Sequence, residues 1–456
     1  MVLTLVAAAC GDDRGDDDGA AAPDGGTETT VDDGGGDGET ATFGDLEWPC
    51  REGDGGSASD TGVTEDTIVI GVGDDRGFAT SPGLNKEMTE AVEAMVERCN
   101  ELGGINGRQI ETRFFDAAIL NVLQAMTDAC AADLFMLVGQ GFALDSNQEE
   151  TRQGCGLPSI PTYTVSAAHA HAPLQYNGVP NPADYTPAGI AAHLAELFPE
   201  EIKAAATLAG NFSATQETRD KVLQAYPQFG FEFVGDKFEY NIQGETDWTP
   251  FVRQLQDAGA QFVYFSGSCL PNYQLFRQTT QVNNFDAIFQ SDANLYEAKC
   301  AEANTDGAMD NTYLRMAFIP FEERDANKAT DDFLAVLEDA GVQPSLLGAQ
   351  GASSFLLWAT AADACGAELT RQCVLDGIAE VHEWNAGGLH APTDPGGNLP
   401  PNCNITLKLE GTEYVRVLPE EPGTFDCDDS WRVPVDTAAV QAAQLDENRI
   451  SRLFTP

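Results

Sequence analysis

Histidine and cysteine are two residue types whose spacing in a sequence can indicate a metal site or a nucleophile. The 456 residues include 11 cysteines and 5 histidines, but no Cys-x-x-Cys pair and no histidine–cysteine spacing typical of zinc. His169 and His171 would lie on one side of an extended segment, and such a lone pair is more typical of a loop. The sequence therefore predicts no metal site.

The short motifs of common enzyme sites are also missing. There is no Gly-x-Ser-x-Gly turn, no His-Glu-x-x-His, no Gly-x-x-x-x-Gly-Lys, and no Gly-x-Gly-x-x-Gly after the first apolar run. The glycine- and serine-containing segments 210–213 and 266–269 are compatible with tight starts of helices after strands. We therefore predict a binding protein rather than an enzyme, and no cofactor.

Strand-like apolar runs alternate with helical patterns along the chain. The predicted strands are 68–72, 110–115, 135–138, 204–208, 231–238, 262–265 and 287–290. The predicted helices are 86–101, 120–132, 188–197, 216–226, 249–258, 273–280, 333–337 and 351–364, and 405–409 with 414–418 reads as a β-hairpin. This alternation predicts an α/β fold with parallel sheets, in which ligands bind outside the carboxyl ends of the strands.

Small and apolar residues precede Cys10, as at the end of a secretory signal that runs into a lipobox. No basic residue precedes this run, and Ala7 stands where leucine is usual, so a buried apolar segment is the alternative. The Asp- and Gly-rich stretch 11–61 has few apolar residues and predicts a disordered acidic tether. We therefore predict lipidation of Cys10 and a lipid-anchored protein outside the cytoplasm.

The charge balance is strongly acidic, with 73 acidic and 24 basic residues and a formal net charge of −49. Such a charge disfavours binding to nucleic acid and to anionic lipid headgroups. A solvated acidic surface is a simpler interpretation than a dedicated cation-binding function.

Ten cysteines remain when Cys10 is set aside, and an even number is typical of an oxidising compartment. Sequence alone does not fix their connectivity. Our hypothesis is sequential, uncrossed pairing, because each such pair joins elements that the β-α alternation would place side by side. The predicted disulfides are Cys50–Cys99, Cys130–Cys155, Cys269–Cys300, Cys365–Cys373 and Cys403–Cys427.

Two blocks resemble the type I periplasmic binding proteins, the branched-chain amino acid receptor family of ABC importers. The first, 62–108, is a β-branched strand, a loop and a helix that ends in Gly103-Gly104-Ile105-Asn106-Gly107-Arg108. The second, 247–267, has Asp-Trp-Thr-Pro ahead of a helix and Ala-Gly-Ala before an aromatic strand. The resemblance implies two Rossmann-like lobes joined by a three-segment hinge, with crossings near 177–185, 315–320 and 387–401.

The implied domain map divides the chain into five parts. These are 1–10, a signal peptide remnant and lipobox; 11–61, the tether; 62–180 with 318–390, lobe 1; 181–317 with 391–434, lobe 2; and 435–456, a C-terminal tail. The implied partners are a small-molecule ligand and ABC permease subunits, and we expect a monomer.

The resemblance also implies that ligand contacts come from strand-end loops of both lobes. In the first lobe the candidates are Phe78, Phe142, Ala143, Tyr163, Thr164 and Ser166. In the second lobe they are Asn211, Phe212, Ser268 and Asp292. The aromatic members would form the walls of a cleft for a flat or partly apolar ligand, or they would belong to the core.

Asp292 follows the predicted strand 287–290 at a position where the family often pairs an acidic residue with the ligand ammonium group. A helix cap is the alternative. If Asp292 is the anchor, Asp292→Ala should weaken binding at least tenfold and leave the melting temperature of the unliganded protein almost unchanged.

Together these observations predict an extracytoplasmic solute-binding receptor of an ABC importer. It would bind a small polar or amino-acid-like molecule between two lobes by hinge closure. The alternative is an extracytoplasmic sensor or an enzyme on the same fold.

Overall fold

The computed structural model describes residues 41–454. Its strands are β1 (Thr42–Phe43), β2 (Leu46–Glu47), β3 (Thr67–Asp74), β4 (Gln109–Asp116), β5 (Met136–Val138), β6 (Ser159–Ile160), β7 (Tyr185–Pro187), β8 (Ala205–Gly210), β9 (Phe233–Tyr240), β10 (Phe262–Ser266), β11 (Ile288–Ser291), β12 (Thr312–Met316), β13 (Cys403–Glu410), β14 (Glu413–Leu418), β15 (Asp426–Cys427) and β16 (Arg432–Pro434). Its α-helices are α1 (Lys86–Glu101), α2 (Val122–Cys130), α3 (Glu149–Gly154), α4 (Ala167–Ala170), α5 (Gly189–Leu197), α6 (Ser213–Ala225), α7 (Thr249–Asp257), α8 (Gln274–Val282), α9 (Ala298–Glu302), α10 (Lys328–Ala340), α11 (Leu346–Cys365), α12 (Arg371–Ala379) and α13 (Ala438–Ala443).

The first sheet has four parallel strands in the order β4-β3-β5-β6. Ile68, Ile70 and Val72 of β3 are completely buried. Such β-branched runs suit a parallel strand that helices cover on both faces. Because all four strands are parallel, the loops after them leave from one edge of the sheet.

The second sheet runs in the order β14-β13-β12-β11-β10-β8-β9, and β15 also pairs with β13. Strands β8 to β12 are parallel to one another, whereas β13 and β14 form an antiparallel hairpin at one side. The loops that follow β8, β10 and β11 therefore also meet at one edge.

Helices α10 to α12 follow β12 of the second sheet in the chain. Nevertheless, α10 and α11 pack against α1, which follows β3 of the first sheet. The contact between α1 and α11 is close at Gly351, where a Cβ atom would lie 2.9 Å from Val92 Cγ2 and 3.1 Å from the Met88 carbonyl oxygen. The chain then returns to the second sheet with β13. Within residues 41–454, no helix has both the length and the apolar character of a membrane span.

The five predicted disulfides are confirmed. The structure joins Cys50–Cys99, Cys130–Cys155, Cys269–Cys300, Cys365–Cys373 and Cys403–Cys427. Cys130–Cys155 and Cys269–Cys300 each link consecutive β-α units, and Cys403–Cys427 crosses the paired strands β13 and β15. Cys365–Cys373 links the consecutive helices α11 and α12, and Cys50–Cys99 links the N-terminal segment to α1.

The acidic tether ends earlier than predicted. Residues 42–50 fold back onto the domain, where Phe43 is completely buried and Trp48 is 5% exposed. The Gly44 amide donates to Asp332 Oδ2 at 2.7 Å, and the Cys50–Cys99 disulfide attaches the segment to α1. Two aromatic side chains therefore supply the apolar surface that the rest of the stretch lacks. Cys10 and residues 11–40 lie outside the described residues.

The α/β fold class is confirmed, and most elements lie where the sequence places them. The helix predicted over 86–101 has these bounds in the structure, and 333–337 and 351–364 are parts of the longer α10 and α11. The hydrophobic pattern did not reveal the strand β12 and the helix α12. It also did not reveal the shorter elements β1, β2, β6, β7, β15, β16, α3, α4 and α9. The C-terminal tail forms α13, whose Ala443 is buried beside Ala167 and Ala183.

Candidate functional site

A cavity of about 340 Å³ lies where the carboxyl edges of both sheets face each other. Residues that follow β3, β5 and β6 line it from the first sheet, and residues that follow β8, β10 and β11 line it from the second. This is the place where open α/β sheets bind ligands. A cavity of this size, lined by two sets of loops, can hold a small organic molecule.

Seven of the ten predicted ligand-binding residues line this cavity. They are Phe78, Ala143, Tyr163, Thr164, Phe212, Ser268 and Asp292.

The other three predicted residues do not line the cavity, and each has a structural contact instead. Phe142 is 2% exposed and packs in the core beneath β3, next to Gly73. The Ser166 side chain caps α4 by accepting a hydrogen bond from the His169 amide. Asn211 Oδ1 accepts a hydrogen bond from the Ile242 amide at 3.0 Å, which holds two second-sheet loops together.

Two buried carboxylates fix the first-sheet loops around the cavity. Asp75 accepts hydrogen bonds from the amides of Ile119 and Ala143, each at 2.7 Å. Burial raises the pKa of Asp75 to about 6, although these two amides oppose the shift. Asp145 accepts from the amides of Val165 and Ser166 in the same way. The loop after β5 is thereby held against the loop after β6.

Tyr163 and Thr164 present hydroxyl groups in the loop after β6. The Tyr163 oxygen accepts a hydrogen bond from Asn85 Nδ2 at 3.3 Å, and Thr164 Oγ1 donates to the Asn181 carbonyl oxygen at 3.3 Å. Burial raises the pKa of Tyr163 well above its usual value, so this phenol stays protonated and can donate to a ligand.

Asp292 is held by donors from its own sheet. The Tyr264 hydroxyl donates to Oδ1, and Ser266 Oγ donates to Oδ2 at 2.7 Å. The Gly267 amide is a third donor, and burial raises the pKa of the Asp292 carboxyl despite these bonds. The side chain makes no capping hydrogen bond to the short helix that follows, so the helix-cap alternative is wrong.

Two basic residues that the sequence analysis did not select also line the cavity. Arg315 projects from β12, and Lys221 projects from α6. Lys221 Nζ donates to the Pro182 carbonyl oxygen at 2.7 Å and to Asn181 Oδ1 at 3.2 Å. Burial lowers the pKa of Lys221 to about 8 and also lowers the pKa of Arg315. A basic residue inside the apolar run 312–319 was the available signal for Arg315.

Much of the remaining cavity wall is apolar. Its aliphatic members are Leu84, Ile119, Val165, Val179, Ile190, Val222, Ile242, Leu270, Leu346 and Leu347. Within residues 41–454, no three metal-ligating side chains lie close enough together to hold a metal ion.

Comparisons with known proteins agree with this geometry. The family model described as "Periplasmic binding protein" matches residues 67–402. No curated protein sequence matches the chain.

Solved structures with a similar fold include a fatty acid ABC transporter substrate-binding protein from Thermomonospora curvata. It has 16% sequence identity and a TM-score of 0.67, over 85% of this chain and 99% of that one. A leucine-, isoleucine-, valine-, threonine- and alanine-binding protein from Brucella ovis, in a closed conformation, has 16% identity and a TM-score of 0.64, over 81% of this chain and 97% of that one.

A branched-chain amino acid transporter substrate-binding protein from Streptococcus pneumoniae, in complex with isoleucine, is also similar. It has 14% identity and a TM-score of 0.61, over 77% of this chain and 100% of that one. Identities this low indicate a shared fold and leave the ligand open.

Proposed function

Because this chain belongs to the periplasmic binding protein family, we propose that it is the extracytoplasmic substrate-binding protein of an ABC importer. It takes up a small molecule in the cavity between the two sheets and presents it to the permease subunits. The observation that carries this proposal is the cavity itself, since loops from both sheets line it. ABC substrate-binding proteins among the similar folds support the partnership.

The mechanism that we propose is closure about a hinge. We take as the hinge the three segments that connect the two sheets. They are the residues after β6, those between β12 and α10, and those between α12 and β13. A ligand that contacts both sheets binds the closed arrangement more tightly than the open one. That difference in affinity is what shifts the population toward the closed state.

We further propose that a lipid on Cys10 keeps the protein at the outer face of the cell membrane. This rests on the sequence around Cys10, which lies outside the described residues. The disulfides are consistent with an oxidising compartment.

A thermal-shift screen against amino acids, amides, ureas, aliphatic acids and aromatic acids tests the proposal. We expect at least one compound to raise the melting temperature, because a ligand that binds only the folded state stabilises it. Small-angle scattering of the protein with and without that compound should show that the liganded protein is more compact.

A variant that fills the cavity makes this test specific. Ala143→Trp places a large side chain in the cavity wall, and it should abolish the ligand-induced shift. Ala364→Trp is the matched control, because Ala364 is exposed near the end of α11. If the compound still raises the melting temperature of Ala143→Trp, the ligand binds elsewhere and the proposal is contradicted. Turnover of the compound would favour the alternative that the protein is an enzyme.

A further inference from the structure

The ionisable side chains of the cavity are unevenly paired. Apart from its tyrosines, the described cavity wall contains one acidic residue, Asp292, and two basic residues, Lys221 and Arg315. The chain as a whole has a formal net charge of −49. The excess of basic groups in the cavity is therefore opposite in sign to the net charge of the protein. This excess needs an explanation in terms of what the cavity binds.

Asp292 does not require a ligand to satisfy its oxygens. Tyr264 donates to one oxygen and Ser266 to the other, with the Gly267 amide as an additional donor. A ligand ammonium group would have to compete with these three donors. It would also enter a cavity in which Arg315 and Lys221 repel it.

Arg315 is in the reverse situation. Among the described residues, it makes no hydrogen bond and no ion pair within contact distance, although its charge is attracted by Asp292. The other described arginines that are not exposed to solvent all donate to a carboxylate or a carbonyl oxygen, as Arg277 does to the Asp310 carbonyl oxygen at 3.0 Å. The Arg315 guanidinium is partly buried and reachable from the cavity, so a ligand anion can supply the acceptor that the protein does not.

The surroundings of Arg315 indicate the rest of the ligand. Tyr313 lies on the same side of β12, two residues earlier, and packs in an apolar cluster with Ile190, Tyr226 and Tyr264. The last three of these residues also line the cavity. A flat guanidinium in such a wall suits a planar anion, because Arg presents paired donors in a fixed geometry.

We propose that the cavity binds a small amphipathic anion, with a carboxylate or similar planar acidic group on Arg315 and an apolar body against the aliphatic wall. Lys221 adds a second positive charge to the same cavity. This inference rests on the proposed function. It differs from the sequence-based expectation of an amine-bearing ligand, because Asp292 is satisfied by the protein and Arg315 is not.

Matched probes separate the two kinds of ligand. The first set is leucine, 4-methylpentanoate, which lacks only the amino group of leucine, and 3-methylbutylamine, which lacks only its carboxylate. The second set is octanoate with octanamide and octylamine. Isothermal titration of the full chain should show that a carboxylate from these sets binds and that its matched amine does not.

Arg315→Gln should weaken carboxylate binding by about 30-fold or more, since removing one side of a desolvated charge pair has an effect of this size. Arg315→Lys keeps the charge and should lose less. Arg253→Gln is the matched control, because Arg253 is exposed on α7, outside the cavity. The melting temperature of unliganded Arg315→Gln should change little, because the side chain has no hydrogen bond or ion pair to lose and only a longer-range attraction to Asp292.

Three results would overturn the inference: tighter binding of leucine or an amine than of the matched carboxylate, no binding by any carboxylate of the two sets, or unchanged carboxylate affinity in Arg315→Gln. If Arg315→Gln fails to fold, Arg315→Lys decides: a measurable loss of carboxylate affinity smaller than about 30-fold, with the amines still excluded, would support the inference, and unchanged carboxylate affinity would overturn it. The proposed function is judged separately, by the broader screen and Ala143→Trp. A neutral ligand that Ala143→Trp excludes would leave that function intact and refute the anionic ligand.

Discussion

Removal of the Asp292 carboxylate tests whether the protein itself satisfies this group on the second-sheet side of the cavity. In Asp292→Ala, the Tyr264 and Ser266 hydroxyls lose their acceptor, and both residues are buried, at 3% and 0% exposure. Leaving a buried hydroxyl without its partner costs about 1–3 kcal/mol, so the two together cost roughly 2–6 kcal/mol. The same change removes the negative charge nearest to Arg315.

One effect opposes this loss. Burial raises the pKa of Asp292, which means that the ionised carboxylate destabilises the folded state near neutral pH. Removing the carboxylate recovers part of that cost. We therefore expect Asp292→Ala to lower the free energy of unfolding by about 2–4 kcal/mol in the absence of ligand.

Urea unfolding of the unliganded protein, followed by circular dichroism, measures this change. Asp286→Ala is the control, because Asp286 precedes the same strand and is exposed. Asp292→Asn keeps one acceptor oxygen and should lose less. An unfolding midpoint for Asp292→Ala equal to that of the wild type would refute the reasoning, and it would restore the sequence-based expectation that Asp292 serves only a ligand.

Three further predictions concern titration, thiols and the anchor. Burial raises the pKa of Glu297 to about 7 although Lys299 opposes the shift, so the folded state loses stability as the pH rises from about 4.5 to 7. Glu297→Gln should remove this loss and be about 2–3 kcal/mol more stable than the wild type in urea unfolding at pH 8, with a smaller difference at pH 5, and equal effects at the two pH values would contradict it. Thiol titration of the denatured protein without reductant should find at most one free thiol, that of Cys10, and reduction should lower the melting temperature, since such disulfides each contribute about 2–4 kcal/mol. Cys10→Ala should move the protein from the membrane fraction to the soluble fraction without changing its melting temperature, and retention in the membrane would refute the lipid anchor.

The architecture was predictable because the hydrophobic pattern is regular. Helix α1 has its predicted bounds, since its apolar positions recur at helical spacing and the glycines after Leu102 stop it. Cys130–Cys155 and Cys269–Cys300 were predictable for a related reason, because elements adjacent in a β-α alternation are also adjacent in space. Cys50 is different, because it lies in a segment that the sequence predicts to be part of the tether. Two of the elements that were missed, β12 and α12, lie where the chain passes between the sheets or where polar residues interrupt the pattern, and the others are short.

The site was less predictable, because hydrogen-bond partners come from distant parts of the chain. Asp292 was correctly placed at the cavity, but its donors lie 28 and 26 residues earlier in the chain, so the sequence could not show that it is satisfied. Ser166 and Asn211 carry the right groups in the right loops, yet each bonds to a backbone amide instead. Arg315 was missed because its strand was read as a hinge crossing.

The net charge of the chain bears on how an anion would bind. At physiological ionic strength the Debye length is about 8 Å, so the many exposed carboxylates are largely screened from one another and from the cavity. Arg315 is partly buried in the cavity wall, where water and salt screen its charge less than at the surface. The acidic surface therefore slows the arrival of an anion only modestly at this ionic strength, whereas the contacts with Arg315 and the apolar wall determine its rate of dissociation. An acidic protein can bind an anion tightly if the basic groups are confined to a desolvated site, which is where the structure holds Arg315 and Lys221.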